Sequence, residues 1–384
     1  MPVKLPKQYD PAGDQAQKQV AAALKNSLLA RINNSIQRFS RIPITEKLFF
    51  VQYLGIMLKA SISLSMALKT LAIQTNNKRF SKIIEDISRN VEKGVSFTES
   101  LRPHEKIFGQ LFINMIESGE ISGKLEDVLK KLYIQFKKNH ELISKVKGAL
   151  TYPIVILAAM GGIGVFMMIV VVPKITAMFR DFNAELPLPT KLLIKFSDSL
   201  AAFGLIYLLT AIIFIAIIFR IIKTPKGKFI FHTLLLRLPI FGTIAKKINL
   251  ARFARTISSL LKTDIMIIKS FQITAQVLGN ALYHKALMEM SEKIKKGGTI
   301  KETIAGYPGL FPPVVVQMVA IGEETGELDY VLEELAEFYE GEIDQTMNNL
   351  PAIIEPVLIL TLGLVVGAMA VAIIMPMYSL TSAI

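Results

Sequence analysis

A chain of 384 residues that is 52% hydrophobic, carries a formal charge of +13 and contains no cysteine excludes several classes before any motif is read. Disulfides, thiolate metal sites and a cysteine nucleophile are ruled out by composition. The basic excess is uneven: residues 1–147 hold 24 Lys and Arg against 13 Asp and Glu, whereas residues 223–349 hold 15 against 14. No nucleic-acid motif accompanies it, so the bias reads as retention on the cytoplasmic side of a membrane, with no nucleic-acid partner.

In chain order, residues 1–42 form a basic amphipathic N-terminal extension. It begins polar and has no continuous apolar h-region, so no secretory signal peptide is expected. Between Val20 and Phe39 the residues Leu24, Leu28, Ile32, Ile36 and Phe39 share one helical face bordered by Arg31 and Arg38. Lys25 and Ser35 interrupt that face, which suits either an anionic lipid surface or packing on the next domain. Pro43 opens a helical domain, repeat 1, over residues 43–147, with Thr45 as the expected cap of its first helix. Phe50, Leu54, Met57 and Leu58 recur there at helical spacing, Gly94 reads as a helix stop, and Ser96-x-x-Glu99 reads as a capping box.

The stretch from Ile116 to Leu129 contains Gly119-Glu120-Ile-Ser-Gly123, and it occurs twice. At an offset of 203 residues stands Gly322-Glu323-Glu-Thr-Gly326, followed, as in the first copy, by Leu-x-x-Val-Leu. The same offset pairs Phe50 with Phe253, Ala72 with Ala275, Gly94 with Gly297, Phe108 with Phe311, Pro153 with Pro356 and Pro173 with Pro376. A constant register over more than a hundred residues marks a duplication. Repeat 2 is accordingly placed at 221–350, again as a helical bundle.

Three uncharged apolar runs meet the length of about 20 residues needed to cross hydrocarbon. Transmembrane helices are expected at 148–173, 199–220 and 351–376, with an external loop at 174–198 and an external tail at 377–384. Basic residues before the first span (Lys137, Lys138, Lys145, Lys147) and after the second (Arg220, Lys223, Lys226, Lys228) place both flanks in the cytoplasm. No Lys or Arg follows Lys301, so the third span takes its outward direction from parity alone. Pro153 and Pro356 are expected near the mouths of spans one and three, where a missing N–H costs little. Glu355 is the carboxylate nearest the membrane. The fold expected is an all-α membrane protein with two duplicated cytoplasmic helical-bundle domains and three transmembrane helices.

Chemistry is conspicuous by its absence. A phosphate loop needs four residues between its first Gly and the Gly-Lys, then Ser or Thr; Gly119–Lys124 has three, followed by Leu125. His104, His140, His232 and His284 form no ligand spacing. No catalytic, cofactor-binding or metal site is expected, and the protein is not read as an enzyme. The Gly-Glu-x-x-Gly elements fit a helix end, a glycine turn and a new helix capped by Ser122 or Thr325, or else a surface in which Glu120 and Glu323 face a partner. The helix before span one is basic (Lys130, Lys131, Lys137, Lys138, Lys145, Lys147) and its duplicate acidic (Glu333, Glu334, Glu337, Glu340, Glu342, Asp344). Two such helices can pair by charge within a chain or between copies.

Duplicated bundles carrying Gly-Glu-x-x-Gly, the Tyr152–Pro153 and Glu355–Pro356 span mouths, the Leu186–Thr190 loop and the Pro173 and Pro376 exits together resemble one known family. It is the inner-membrane platform family of type II secretion and type IV pilus assembly. The resemblance covers about residues 43–384 and departs in the short, basic start. It implies no enzymatic activity and no cofactor. It further implies a homo-oligomer that couples a cytoplasmic hexameric assembly ATPase to extraction and polymerisation of pilin or pseudopilin subunits, beside other inner-membrane assembly proteins and membrane lipid. Gly119, Glu120, Gly123, Gly322, Glu323 and Gly326 carry over as signature positions, and Pro153, Glu355 and Pro356 as span-mouth candidates. Two alternatives stand beside this reading. One is a motor-free membrane scaffold or adaptor; the other is a transporter, which would need mid-span polar residues that spans one and three almost entirely lack.

Overall fold

The computed structural model describes residues 42–181 and 188–381, all of it helix and connecting turn with no strand among the described residues. The amphipathic stretch Val20–Phe39, residues Leu186 and Pro187 and the last three residues lie outside that description. The chain divides into two compact units, one ending at Phe136 and the other beginning at Lys137.

The first unit holds α1 (Ile44–Lys59), α2 (Leu64–Gln74), α3 (Lys78–Glu92), the short α4 (Phe97–Leu101) and α5 (Glu105–Phe108), α6 (Gln110–Ser122) and the beginning of α7 (Leu125–Phe166). Its core is organised by Phe50, Phe80 and Phe108, whose ring centroids lie 5.6, 5.7 and 5.9 Å apart. Tilted and edge-on contacts at this range add to the burial of the rings themselves. Asn77 caps α3 by accepting from the N–H groups of Arg79 and Phe80, and Ser96 caps α4 by accepting from Glu99 N–H. Thr45 is no cap: the chain enters α1 from extended Pro43, and Thr45 already lies inside the helix.

The second unit continues along α7, through a π-helical stretch at Met167–Val171, into α8 (Val172–Asp181). It proceeds through α9 (Leu188–Ile222), α10 (Pro225–Arg237), α11 (Pro239–Leu261), α12 (Ile267–Val277), α13 (Ala281–Lys295), α14 (Ile300–Ala305), α15 (Pro313–Thr325) and α16 (Leu328–Thr381). Of the 174–198 segment, α8 takes the first part and α9 the last. Its bundle core joins Phe253, Phe271, Tyr283 and Phe311 with Leu332, Leu335 and Tyr339, and Leu142 of α7 packs into the same cluster.

The duplication is visible in the element boundaries. Shifted by 203 residues, α2 becomes α12, α3 becomes α13 and α6 becomes α15, each with both ends matching, and α7 starts where α16 starts. The fine structure follows as well. Ser61 and Asp264 take the same left-handed turn, at φ 60° and 59°, and Asn280 repeats the cap of Asn77. Ser81 Oγ donates to the Ala72 carbonyl at 2.6 Å, and at the equivalent positions His284 Nδ1 meets the Ala275 carbonyl at 2.7 Å.

One exchange shows how strongly each buried carbonyl demands a donor. In the first unit the Ile107 carbonyl accepts from Lys47 Nζ, and burial pulls the Lys47 pKa below its ordinary value. In the second unit Leu250 replaces that lysine, and the equivalent Leu310 carbonyl accepts instead from Tyr283 Oη at 2.8 Å. Tyr283 stands where the first unit has Phe80.

Three helices are long and apolar enough to cross a membrane: Leu125–Thr176 taken as one, Thr190–Ile222 and Leu328–Ala372. The most apolar stretches of the first two bury nothing, and side chains such as Ile154, Leu205, Phe214 and Leu364 are exposed. An apolar surface of this extent is unsustainable in water and natural in lipid.

Lys47→Leu is expected to destabilise the first unit by about 1–3 kcal/mol, because it orphans the Ile107 carbonyl. Adding Phe80→Tyr should recover most of that loss by importing the donor of the second unit. A double-mutant cycle on denaturant unfolding of the detergent-solubilised chain reads the coupling; additive effects would show that the exchange is coincidental.

Candidate functional site

The Gly-Glu-x-x-Gly elements lie at the end of α6 and of α15, and each position has its own physical task. The last glycine closes the helix: Gly123 and Gly326 sit at φ 70° and 77°, a left-handed conformation open to glycine without a Cβ penalty. The first glycine permits a close approach. A Cβ on Gly119 would lie 2.8 Å from Val128 Cγ2 and 3.0 Å from Val128 Cβ, and one on Gly322 would lie 2.9 Å from Leu328 Cα. The motif thus folds the end of one helix against the beginning of the long helix that follows.

The glutamate reaches back across the bundle. Glu120 accepts from Phe97 N–H at 2.7 Å, Thr98 N–H at 2.9 Å and the Thr98 hydroxyl at 2.6 Å. Glu323 does the same at the equivalent helix, accepting from Ile300 N–H at 2.7 Å and Lys301 N–H at 3.0 Å. Both carboxylates cap the first turn of a short helix, α4 or α14, where orphan N–H groups and the positive end of the helix dipole favour an anion. Ser122 and Thr325 are not caps for α7 and α16. Their hydroxyls donate backwards to Ser118 and Ile321 carbonyls, because both side chains still lie within the outgoing helix.

Pro153 lies in the interior of α7, and Pro356 within the unbroken α16. Neither opens a helix as expected from sequence; the soluble bundle helix and the span are one continuous element. Pro153 is buried, whereas Glu355 and Pro356 are exposed.

The charge pairing anticipated between the two long helices is present within the chain. Lys138 Nζ lies 3.2 Å from Glu340, and Lys145 Nζ lies 2.5 Å from Asp344. Contact positions rise together on both helices and differ by 202 and 199 residues, so this part of α7 runs parallel to α16 with equivalent residues side by side. Both pairs are half exposed and set orientation more than stability. Glu333 is engaged elsewhere: Arg255 and Lys262 of α11 both pair with it. Arg255, 6% exposed, also holds Glu340 through its Nε at 3.0 Å. Sequence reading missed Arg255, which stands where the first repeat has Gln52. The only signal was that this charge replaces a neutral residue in an otherwise apolar stripe.

Between the spans, α9 runs antiparallel to its neighbours and is tied by hydroxyls. Thr190 Oγ1 donates to the Ala372 carbonyl at 2.7 Å, and the fully buried Ser197 Oγ donates to the Met168 carbonyl at 2.5 Å. Met168 lies in the π-helical stretch, whose irregular pairing leaves backbone acceptors to be satisfied from outside.

Among the described residues no cluster of His, Asp or Glu has the arrangement of a metal site. Two shallow clefts run along α7 and α16: one of about 270 Å³ lined by Lys138, Glu141, Lys145, Glu337, Glu340 and Asp344, and one of about 360 Å³ lined by Lys145, Ala149, Asp344, Met347, Asn348 and Pro351.

Comparison with known proteins finds the profile described as type II secretion system, protein F, matching twice, at residues 50–173 and 253–376. The two matches are separated by the same 203 residues. The chain is 36% identical to the type IV pilus assembly protein PilC of Thermus thermophilus over 90% of its own length and 86% of the relative's. It is 33% identical to the protein of that name from Myxococcus xanthus, over 91% and 84%. The type II secretion system protein F of Aeromonas hydrophila is 29% identical, over 88% and 87%.

Gly119→Ala is expected to destabilise the chain by about 1–3 kcal/mol through overpacking. Trimming the obstructing side chain with Val128→Ala should offset part of it. Gly322→Ala meets backbone at Leu328, so the matching Val331→Ala should offset little. Thermal unfolding of the four variants in detergent tests this; equal rescue in both repeats would contradict the close-approach account.

Proposed function

The chain belongs to the type II secretion system protein F family, and from that premise we propose that it is the inner-membrane platform of a type IV pilus or type II secretion assembly machine. In this reading it couples a cytoplasmic hexameric assembly ATPase to extraction and polymerisation of pilin or pseudopilin subunits, working as a homo-oligomer and carrying out no chemistry of its own. The observation that carries the reading is the continuity of α7 and α16. Each leaves a packed helical bundle and runs on as a membrane-spanning rod without a break. A rotation or tilt imposed on the bundle is delivered to the span as a rigid-body movement, which is what a motor-driven scaffold requires.

The parallel course of α7 and α16 supports the orientation given by parity. Both bundles then face the cytoplasm, and the residues after α16 lie outside. Gly119, Glu120, Gly123 and their counterparts Gly322, Glu323 and Gly326 act through the fold, fixing the angle at which each rod leaves its bundle. Pro153, Glu355 and Pro356 mark where the rods meet the membrane, and their variants should alter coupling more than folding.

A tagged copy extracted from its native cells in mild detergent should bring down a hexameric ATPase together with pilin-like proteins. A folded, oligomeric sample that brings down neither would favour a motor-free adaptor. Inserting three glycines after Lys147 should leave membrane insertion and ATPase capture intact while abolishing surface filaments or secretion. Normal filament assembly or secretion with that insertion would contradict coupling through the rod.

A further inference from the structure

The segment that follows the second span is a built elbow with an unusual surface. Three residues after Ile222, α10 begins at Pro225, capped by Thr224, whose hydroxyl accepts from Gly227 N–H at 3.1 Å. At its far end α10 turns into α11 through 109°. Both corners are fixed by close approach: a Cβ on Gly227 would lie 2.0 Å from the Ile221 carbonyl oxygen, and one on Gly242 would lie 2.5 Å from that of Leu236. One face of α10 is anchored to the bundle. Leu236 is buried, and His232 Nδ1 accepts the Ala281 N–H at the start of α13 at 2.9 Å. Burial, and then the charge of Lys228, lower the His232 pKa and favour the neutral acceptor form.

The opposite face is apolar and open. Ile230, Leu234 and Leu238 follow one another at helical spacing with 66%, 60% and 42% exposure, flanked by Phe229 and Phe241. Exposed Lys226 and Arg237 stand on the same side of the helix as this strip, towards its two ends. We propose that the α10–α11 elbow lies in the membrane interface, with this strip seated at the boundary of headgroups and acyl chains and the bordering cations among anionic headgroups. The proposal rests on α9 being a membrane span.

Three observations select lipid as the occupant. The strip follows directly on α9, whose exposed apolar side chains run to Phe219 and Ile221 on either side of Arg220. Cations edge it, as they edge helices that lie on anionic bilayers. The elbow is also unsuited to crossing the membrane: α10 has 13 residues, about 20 Å of helix, short of the roughly 30 Å hydrocarbon core. The later residues of α11, such as Phe253 and Ile257, are buried in the bundle. The elbow thus assigns the second bundle a fixed height and tilt against the bilayer, a constraint its span alone does not impose.

The absence of native cysteine makes the test direct. Single variants Ile230→Cys, Leu234→Cys and Leu238→Cys in the full chain are spin-labelled and placed, one copy per disc, in nanodiscs containing phosphatidylglycerol. Phe214→Cys in α9 and Lys285→Cys in α13 serve as lipid and water references. The elbow labels should be relaxed more by oxygen than by a nickel chelate, at a depth of about 5–10 Å. Elbow labels as open to the chelate as position 285, with position 214 in lipid, would overturn the proposal alone. Labels shielded from both reagents would overturn it in favour of a protein contact. Position 214 reading as aqueous would overturn the span and the proposal with it.

Discussion

The parallel, in-register contact between α7 and α16 is the constraint on which the rest of the second unit depends. Each helix is long, 42 residues for α7 and 54 for α16, which at 1.5 Å per residue is about 63 and 80 Å. Each belongs at its start to a bundle core, through Leu129 and Leu132 in one case and Leu332 and Leu335 in the other. Each then presents apolar side chains to lipid. The two are held side by side at Lys138–Glu340 and Lys145–Asp344, and Leu142 of α7 enters the core that α16 completes. Two rods fixed in this way enter the membrane in the same direction, and α9, tied by Thr190 and Ser197, returns between them.

Much of this was legible in the sequence because it is local or periodic. The 203-residue offset relates the two sets of elements, several of them with matching ends, and glycines at Gly94, Gly123, Gly297 and Gly326 marked real helix ends with positive φ. Apolar runs marked the spans. What failed was whatever depends on a partner distant in sequence. The sequence left Glu120 open between a fold device and a partner-facing surface, because its ligands, the N–H groups of Phe97 and Thr98, lie more than 20 residues upstream. Pro153 read as lying near a span mouth, where a missing N–H costs little, yet it lies inside one long helix that continues on both sides of it. Ser122 and Thr325 read as caps because nothing local separates a residue that starts a helix from one that ends the helix before.

The two repeats share a backbone design and differ in surface. Phe49 and Gln52 on α1 correspond to Arg252 and Arg255 on α11, and Lys130 and Lys137 on α7 correspond to Glu333 and Glu340 on α16. Of these replaced charges, Arg255 meets both Glu333 and Glu340. Arg255 is buried against Glu333, Glu337 and Glu340 of α16, which together compensate a charge that would be costly to bury alone. Duplication supplied the fold twice, and divergence then built an internal ion-pair ridge in one copy. The motif residues escaped that divergence because each is bound by geometry: a Cβ clash, a left-handed turn and a helix end to cap.

Spin-label distances along the two rods test the central claim most directly. In the cysteine-free chain, one pair of labels is placed at Lys138→Cys with Gly341→Cys and another at Gly148→Cys with Pro351→Cys. Parallel, in-register rods predict two short and similar distances, unchanged when labelled chains are diluted with unlabelled ones. An antiparallel arrangement matched at the first pair would lengthen the second by about 30 Å, ten residues on each helix. Either that lengthening, or loss of the signal on dilution, would contradict the account.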